Sequence, residues 1–462
     1  MRTILQRILL ACSIILLVGC SKYLDIKPFG KVVPKTPEEY ATLLHKRLHE
    51  IDYGNDQYCI GNFSELINLT MYADNFEACL EKDGRVNKVS VVQDLDVKPF
   101  QRYNKLYEII RDCNIVIENV KPEGGKEYEE VVSAAYALRG ICYYQLLRQF
   151  CEAPKEPSKQ MGVPVVVSFN LEDTFPRGTM EETISRIEND FYSSLKYQSN
   201  PEFRFSKDVV NGYLARLFFW TEQWSKAKEI SKKLLDKHQL IEGKSYTDML
   251  DQVYEMSGNM LIKSNIYKDQ NNTQVIENII TNLKKRPVSK RYVDCFYDEK
   301  DKDIRYTHFI GKKRESNKKL TVNMRAAELL MIQAESEYHL GNNDISLALI
   351  NSLRSKRVQD AVPFTMDNLP ELRESEVIKV DATGKPMTKL LNLILTERRK
   401  ELFQEGDRWF ELKRNGTPEF WQSIEGLKYV TKPYMYTYPI PIADLRLVKE
   451  LIQNPGYTEI IR

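Results

Sequence analysis

The sequence predicts a mainly α-helical protein with large loop-rich insertions and a few short β-strands. Two observations support this fold class: long amphipathic helical patterns recur along the chain, and they recur as neighbouring pairs separated by breaker residues. The chain has 462 residues, of which 42% are hydrophobic and 29% charged, so it can form one large domain or two or three ordinary ones. This composition shows no sign of disorder or of a fibrous repeat.

Charge and hydropathy exclude two broad classes of protein. The chain has 67 Lys and Arg against 65 Asp and Glu, a formal net charge of +2, which argues against a globally basic nucleic-acid binder. Only one apolar run approaches the character of a membrane span, which excludes a multi-span membrane protein. Tyrosine is abundant, with 26 residues, and such a composition is compatible with an aromatic binding surface.

The first 19 residues have the pattern of a signal peptide. Arg2 and Arg7 form a positive start, and the apolar stretch 8–18 that follows is too short to cross a bilayer. The stretch ends in small residues before Cys20, the arrangement that a lipoprotein signal peptidase requires. We therefore expect cleavage after residue 19, lipidation of Cys20 and a membrane-anchored tether over 20–36.

The helical patterns form successive pairs that indicate a tetratricopeptide-like scaffold. Each pair is roughly one tetratricopeptide repeat long and carries alanines where two helices must cross. The pairs are predicted at about 100–150, 207–238, 323–358 and 389–414. Long insertions separate them, so a regular solenoid is not expected. These insertions, at about 50–98, 151–180, 239–320 and 359–388, are the expected place for binding because large loops on a rigid scaffold usually carry function.

Six cysteines remain once Cys12 and Cys20 are set aside. No CxxC spacing occurs among them, so zinc-ribbon and thioredoxin-type motifs are absent. The expected compartment permits disulfides, although Cys113 and Cys142 lie in apolar-periodic helices, where buried thiols are favoured. The sequence leaves the pairing open among Cys59, Cys79, Cys113, Cys142, Cys151 and Cys295.

No catalytic or metal-binding motif stands out. His45 and His49 have helical metal-ligand spacing, but no third ligand is evident, so we expect neither a metal nor a cofactor. Glu397, Glu401 and Glu405 recur every four residues beside basic residues, which favours a salt-bridged helix face over an acid/base pair. A surface glycosidase remains an alternative, because the fold sets the spacing of a catalytic carboxylate pair.

One segment is strongly basic. Residues 284–320 contain thirteen basic against six acidic residues. A solvated loop face is the favoured interpretation, and attraction for an anionic ligand is the alternative.

Residues 397–414 carry the most characteristic motif of the chain. We interpret the motif as a helix in which Gly406 allows another backbone to come close and Trp409 is a core anchor. Arg398 and Arg408 are available to bind neighbouring carboxylates or carbonyls. It closely resembles the main motif of the SusD/RagB family of outer-membrane lipoproteins. In the family pattern the structural residues correspond to Glu397, Arg398, Glu401, Glu405, Gly406, Arg408 and Trp409.

Further segments along the chain share the resemblance. They are similar to the usual mature start, the N-terminal helix, a central motif and the family's ending, at residues 20–28, 134–150, 303–305, 438–441 and 453–457. The resemblance implies a single α-rich domain over 37–462 built on four tetratricopeptide-like units. It also implies a surface-exposed outer-membrane lipoprotein that is not an enzyme. Such a protein binds a nutrient, generally an oligosaccharide, and delivers it to a SusC-like TonB-dependent transporter. A helical-repeat envelope scaffold that binds other proteins remains an alternative.

The ligand site lies in variable loops of this family and is predicted here only from chemistry. Sugar rings present C–H faces and hydroxyl groups, so a site needs exposed aromatic rings beside amides and carboxylates. Two stretches offer this combination, with the candidate residues Tyr53, Tyr58, Tyr72, Asp74, Asn75 and Phe76 in the first and Tyr267, Tyr292 and Tyr306 in the second.

Overall fold

The structure, a computed structural model, describes residues 34–53, 58–77, 101–169, 174–268, 273–424 and 427–457. Within these ranges the protein is mostly α-helical with a few short strands, which confirms the predicted fold class. The predicted signal peptide and Cys20, the predicted lipidation site, lie outside the described residues.

The helices of the first half are α1 Pro37–Tyr53, α2 Phe63–Tyr72, α3 Gln101–Asn119, α4 Lys126–Phe150, α5 Met180–Lys196, α6 Lys207–Trp220, α7 Trp224–Leu235 and α8 Gly243–Asp251. Those of the second half are α9 Thr273–Lys285, α10 Lys290–Val293, α11 Ile304–Thr307, α12 Ala326–His339, α13 Asn343–Ser355, α14 Lys389–Glu401, α15 Asp407–Arg414 and α16 Ile442–Leu447. The strands are β1 Met260–Ser264, β2 Val322–Arg325, β3 Trp421–Ile424 and β4 Leu427–Val430. They form two two-stranded antiparallel sheets, β1 with β2 and β3 with β4.

The scaffold consists of neighbouring helices that pack side by side: α3 with α4, α4 with α5, α6 with α7, and α12 with both α7 and α13. Gly140 allows the close approach of α4 and α5, because a Cβ atom there would come 2.7 Å from the Phe191 ring. The start of α5 is fixed by a capping box, in which the Glu182 amide donates to Thr179 Oγ1 and the Thr179 amide donates to Glu182 Oε2.

One predicted helical start is a strand. The third pair was expected to begin at residue 323, but Val322–Arg325 forms β2 and the helix begins at Ala326. Asn323 pairs with Lys263 of β1, and Met324 pairs with Ile262. This pairing satisfies the backbone amide and carbonyl groups of β2. A local helical pattern cannot reveal a partner so distant in the sequence. This sheet connects the middle insertion to the helical scaffold.

Two hydrophobic clusters form the core. The larger one lies between the paired helices and includes residues from α1 through α15. The smaller one lies under the middle insertion and is built largely from aromatic and aliphatic residues of α2, α8 and the segment 288–320. The loop-rich part therefore has a hydrophobic core of its own.

The C-terminal segment docks against the end of α4. The Tyr438 amide donates to the Gln149 carbonyl at 2.7 Å, and Asn454 Nδ2 donates to the carbonyls of Phe150 and Tyr438. These bonds satisfy carbonyl groups that a helix leaves open at its C-terminus.

Five of the six cysteines in question lie in the described residues, and all five are buried: Cys59, Cys113, Cys142, Cys151 and Cys295. Cys113, Cys142, Cys151 and Cys295 are free thiols. Burial raises the pKa of the Cys59 thiol to about 12 and that of Cys151 to about 11, which keeps both protonated. Cys79 lies outside the described residues. No helix in the described part of the chain is long and apolar enough to span a membrane.

The histidine pair of α1 makes aromatic contacts. His45 stacks on Phe203 with ring centroids 5.0 Å apart, and His49 stacks on Tyr53 at 4.3 Å. The described ranges contain no group of three or more His, Cys, Asp or Glu side chains that could hold a metal ion.

Candidate functional site

The family-like motif forms a buried ion network. Glu401 accepts from Arg325 Nη1 at 2.7 Å and from Arg357 Nε at 2.9 Å, and all three side chains are buried. Burial alone would raise the pKa of Glu401, but the Arg357 and Arg325 guanidinium groups hold it well below its usual range. Every carboxylate oxygen of Glu401 has a cationic partner, so this side chain stabilises the fold and is unsuited to proton transfer.

The other two glutamates of the motif are paired in the same way. Glu397 lies 2.8 Å from Arg305 Nη2, and Glu405 lies 2.7 Å from Lys318 Nζ. Arg305 and Lys318 belong to the basic segment 284–320, so part of that segment's positive charge is neutralised inside the protein. This neutralisation was not visible in the sequence, because the partners are about 90 residues apart in the chain.

Gly406 and Trp409 have structural roles next to α2. Gly406 has φ of +78°, a left-handed conformation, and a Cβ atom there would lie 3.2 Å from Leu66 and 3.3 Å from Leu69. The close approach at Gly406 therefore involves side chains of α2, whereas the sequence suggested another backbone. Trp409 is fully buried and stacks on Tyr436 with centroids 4.2 Å apart.

Asp74 and Asn75 are held by the motif. Arg408 Nε donates to Asp74 Oδ1 at 2.8 Å, and Arg399 Nε donates to Asn75 Oδ1 at 2.8 Å. Burial would raise the pKa of Asp74, but Arg399 and Arg408 overcome this effect and lower it strongly. The carboxylate and the amide thus serve mainly to fix the end of α2 against the motif.

Three aromatic candidates also lie in the interior. The ring centroids of Tyr72 and Trp409 are 5.4 Å apart. Phe76 and Tyr292 both stack on Phe403, with centroids 5.9 Å and 4.3 Å from it. All three are buried. The expectation of an exposed aromatic platform therefore does not hold for Tyr72, Phe76 and Tyr292, because the smaller hydrophobic cluster and the motif enclose their rings.

Three further candidates are half-buried. The Tyr267 hydroxyl accepts a hydrogen bond from the Leu320 amide at 3.0 Å, and burial raises its pKa to about 12. Tyr306 packs edge-on against Phe296 at 5.1 Å, and Tyr58 packs against the larger hydrophobic cluster. The role of these three tyrosines in binding stays a prediction.

Tyr53, the remaining candidate, lines an open pocket of about 500 Å³, here called the tyrosine pocket. The pocket lies where the end of α1 meets β1 and the loop before it. Two exposed tyrosines border it, Tyr53 with 48% of its surface exposed and Tyr254 with 54%. Its volume falls in the range of about 300–1,000 Å³ that is typical of small-ligand sites. Its other lining residues are Asp52, Pro201, Arg204, Ser206, Glu255, Met256, Leu261, Ile262, Lys263, Asn265 and Lys268.

The polar groups of the tyrosine pocket are partly pre-oriented. Arg204 Nη2 lies 2.6 Å from Asp52 Oδ2, and Lys263 Nζ donates to the Glu255 carbonyl at 2.8 Å. Burial lowers the pKa of Lys263 to about 8. Aromatic faces beside such fixed donors and acceptors are the combination that a saccharide requires.

Sequence reasoning missed most of this pocket. Tyr254 and Met256 come from the middle insertion, where no periodic pattern distinguishes them from other loop residues. The run from Tyr254 to Met256 was the available signal, since large apolar side chains outside a helical or strand pattern are candidates for exposed surface.

Comparisons with known proteins agree with this architecture. A family described as SusD-like, "Starch-binding associating with outer membrane", matches residues 22–219, and the SusD family matches residues 255–457. Together these matches cover most of the chain. The fold and its buried motif define a SusD-like helical protein, and the chain belongs to the SusD/RagB family.

Solved structures share the fold at low sequence identity. A SusD superfamily protein from Bacteroides thetaiotaomicron VPI-5482 is 17% identical with a TM-score of 0.69, and the match covers 91% of this chain and 100% of that one. A SusD-like carbohydrate binding protein from Bacteroides vulgatus ATCC 8482 is 17% identical with a TM-score of 0.66, covering 90% and 98%. A SusD superfamily protein from Bacteroides fragilis is 19% identical with a TM-score of 0.67, covering 91% and 100%. No curated protein sequence matches this chain.

Proposed function

We propose that this protein is a lipid-anchored outer-membrane protein that binds an oligosaccharide at the cell surface and delivers it to a SusC-like TonB-dependent transporter. The observation that carries the binding role is the tyrosine pocket, where Tyr53 and Tyr254 border an open volume of about 500 Å³. Membership of the SusD/RagB family and a structural neighbour named a carbohydrate binding protein support it.

The proposed anchor is Cys20. It follows a signal-peptide pattern over residues 1–19, and acyl chains on its thiol and amino group would attach the protein to the membrane. In this arrangement the helical scaffold faces the transporter and the insertions face the ligand. The role is binding and transfer, without catalysis.

Calorimetry with the lipid-free protein tests the binding role. We would titrate a panel of neutral oligosaccharides, starting with maltoheptaose, into the wild type and a Tyr53→Ala/Tyr254→Ala variant. Loss of the two rings should weaken binding by about tenfold or more, equivalent to about 1.4 kcal/mol. Tyr192→Ala is the matched control, because Tyr192 is 42% exposed but does not line the pocket. A saccharide that binds both variants as tightly as wild type would move the site away from this pocket.

A pull-down tests the partner. The lipidated protein would be isolated from its native outer membrane in mild detergent, and the co-purifying proteins identified by mass spectrometry. A TonB-dependent barrel at near-equal stoichiometry is the expected result. A preparation without such a barrel would contradict the transporter partnership and leave the binding role to be judged by calorimetry.

A further inference from the structure

A second concavity, here called the tryptophan pocket, lies between the end of α2, the start of α10 and strand β3. Its volume is about 190 Å³, which suits one ring or one charged group better than a whole oligosaccharide. Its lining residues are Met71, Ala73, Asp74, Phe76, Glu77, Arg286, Ser289, Lys290, Arg291, Phe420 and Trp421. None of these residues lines the tyrosine pocket.

Both carboxylates of the tryptophan pocket are already matched by cations outside its lining. Asp74 and its neighbour Glu376 share the two guanidinium groups of Arg399 and Arg408, with Asp74 Oδ1 2.8 Å from Arg408 and Glu376 Oε1 2.8 Å from the same group. Glu77 Oε1 lies 2.6 Å from Arg314 Nη1. Each acid therefore has its direct ion-pair partner outside the lining, and Arg291 and Lys290 act on the pKa of Asp74 and Glu77 only as more distant charges.

Three basic side chains of the segment 284–320 line the pocket wall: Arg286, Lys290 and Arg291. Arg286 is oriented by a hydrogen bond from its Nε to the Glu77 carbonyl at 2.7 Å. Lys290 is exposed and Arg291 half-buried, and among the described residues neither has a carboxylate within ion-pair distance. Arg305 and Lys318 of the same segment are neutralised in the core. Lys290 and Arg291, in contrast, present positive charge to a concave surface.

An aromatic face borders the same cations. Trp421, at the start of β3, is 38% exposed, and Lys428 Nζ of the neighbouring strand lies 5.2 Å from its ring centroid. An exposed indole offers a flat surface for the C–H face of a sugar ring, while the ammonium and guanidinium groups attract a charged substituent. The indole ring suits the apolar face of a sugar, and the cations suit a negatively charged substituent. Together they match a saccharide that carries an anionic group.

We propose that the tryptophan pocket binds the carboxylate or sulfate group of an acidic saccharide, with Lys290 and Arg291 contacting the anion and Trp421 packing against the sugar ring. This inference rests on the proposed function, because it takes the ligand to be a saccharide. It adds a ligand class and a second site.

Calorimetry with charge-matched probes tests the inference. Tetragalacturonate supplies carboxylates alone, its fully methyl-esterified form is the uncharged counterpart, and a κ-carrageenan tetrasaccharide supplies sulfate alone. The expected result is binding of at least one anionic probe, about tenfold or more tighter than the ester, with affinity that falls as salt is added. Comparison of the tetragalacturonate and carrageenan affinities identifies carboxylate or sulfate as the preferred group.

Variants assign the binding to the pocket. Lys290→Gln/Arg291→Gln should reduce affinity for the anionic probe about tenfold or more, and Trp421→Ala should also weaken it. Lys300→Gln is the control, since Lys300 is an exposed basic residue of the same segment that does not line the pocket. Unchanged melting temperatures would show that the variants remain folded, and the conservative Lys290→Arg should retain binding.

The outcomes separate this inference from the proposed function. The anion site would be overturned if neither tetragalacturonate nor the carrageenan tetrasaccharide bound more tightly than the ester, or if the Lys290→Gln/Arg291→Gln protein kept full affinity for the anionic probe. The anion site would also be overturned if the protein bound no anionic probe but still bound a neutral saccharide through the tyrosine pocket. In that case the proposed function would stand. Failure to bind any saccharide, neutral or acidic, would contradict both.

Discussion

Arg408 Nε lies 2.8 Å from Asp74 Oδ1, although the two residues are 334 positions apart in the chain. The contact joins the end of α2 to α15, and both side chains are buried. The ion pair therefore links a segment in the N-terminal part of the chain to the motif near the C-terminus. The tryptophan pocket has Asp74 in its wall, so the same ion pair also fixes the shape of a proposed binding surface.

We expect Asp74→Asn to destabilise the protein by about 3–5 kcal/mol. Removing one partner of a buried pair leaves the guanidinium charges of Arg399 and Arg408 without sufficient compensation. Urea unfolding followed by circular dichroism measures the change in the free energy of unfolding. Asp248→Asn serves as the control because Asp248 forms an exposed pair with Lys244, and its loss should have little effect. Equal stability of the two variants would show that the buried pair contributes nothing.

Trp409→Ala should cost about 3–5 kcal/mol of stability as a large buried truncation. The indole is enclosed by Tyr72 and Tyr436 and lies outside both proposed pockets, so no selective change in saccharide affinity is expected. Thermal unfolding and calorimetry measure the two effects separately. Native thermal stability combined with lost binding would reverse this interpretation. Trp421→Ala offers a comparison, since its exposed ring should give a much smaller loss of stability.

The helical pairs could be predicted from the sequence because the information for them is local. Alanines in α4 and the breaker before Lys126 lie within a few turns of the structure that they specify. The strand at Val322–Arg325 could not be predicted in this way, since its partner, β1, is about 60 residues away. Its identity as a strand depends on pairing and not on its own periodicity.

The candidate site was harder to predict for a similar reason. The pattern of Tyr72, Asp74, Asn75 and Phe76 has the chemistry of a saccharide site, but burial depends on distant partners such as Arg408 and Phe403. Tyr53 and Tyr254 come together from segments about 200 residues apart, so no local motif marks their pocket. Residue type indicated the kind of chemistry, and only the fold decided which side chains are accessible.

Acid should destabilise the protein through the buried glutamates of α14. Burial would raise the pKa of Glu397, but Arg305 and Lys400 lower it to about 2 in the folded protein, against about 4.5 ordinarily. Because the folded pKa is depressed, the stabilisation is complete above about pH 4.5 and is lost as pH falls toward 2. Urea unfolding at intervals between pH 6 and pH 2.5 should show this decline.

A Glu397→Gln variant should show a shallower decline over the same pH range, because it lacks the titrating carboxylate. It should also be less stable than wild type at pH 6, since Arg305 and Lys400 lose a buried partner. Parallel pH profiles for wild type and variant would contradict the assignment of this pH dependence to Glu397.

Lys413 should make the protein more stable at alkaline pH. Its side chain is buried, and Nζ donates to the carbonyls of Arg148 and Cys151 at 2.7 and 2.6 Å, with no carboxylate in ion-pair distance among the described residues. Burial lowers its pKa to about 7, whereas an unfolded lysine titrates near 10.5. Between these values the unfolded chain binds more protons, so the free energy of unfolding should rise with pH from about 7 toward 10. A Lys413→Met variant should lack this rise in urea unfolding measurements, while Lys432→Met, which removes an exposed lysine, should retain it. The same alkaline slope in both variants would show that another group titrates.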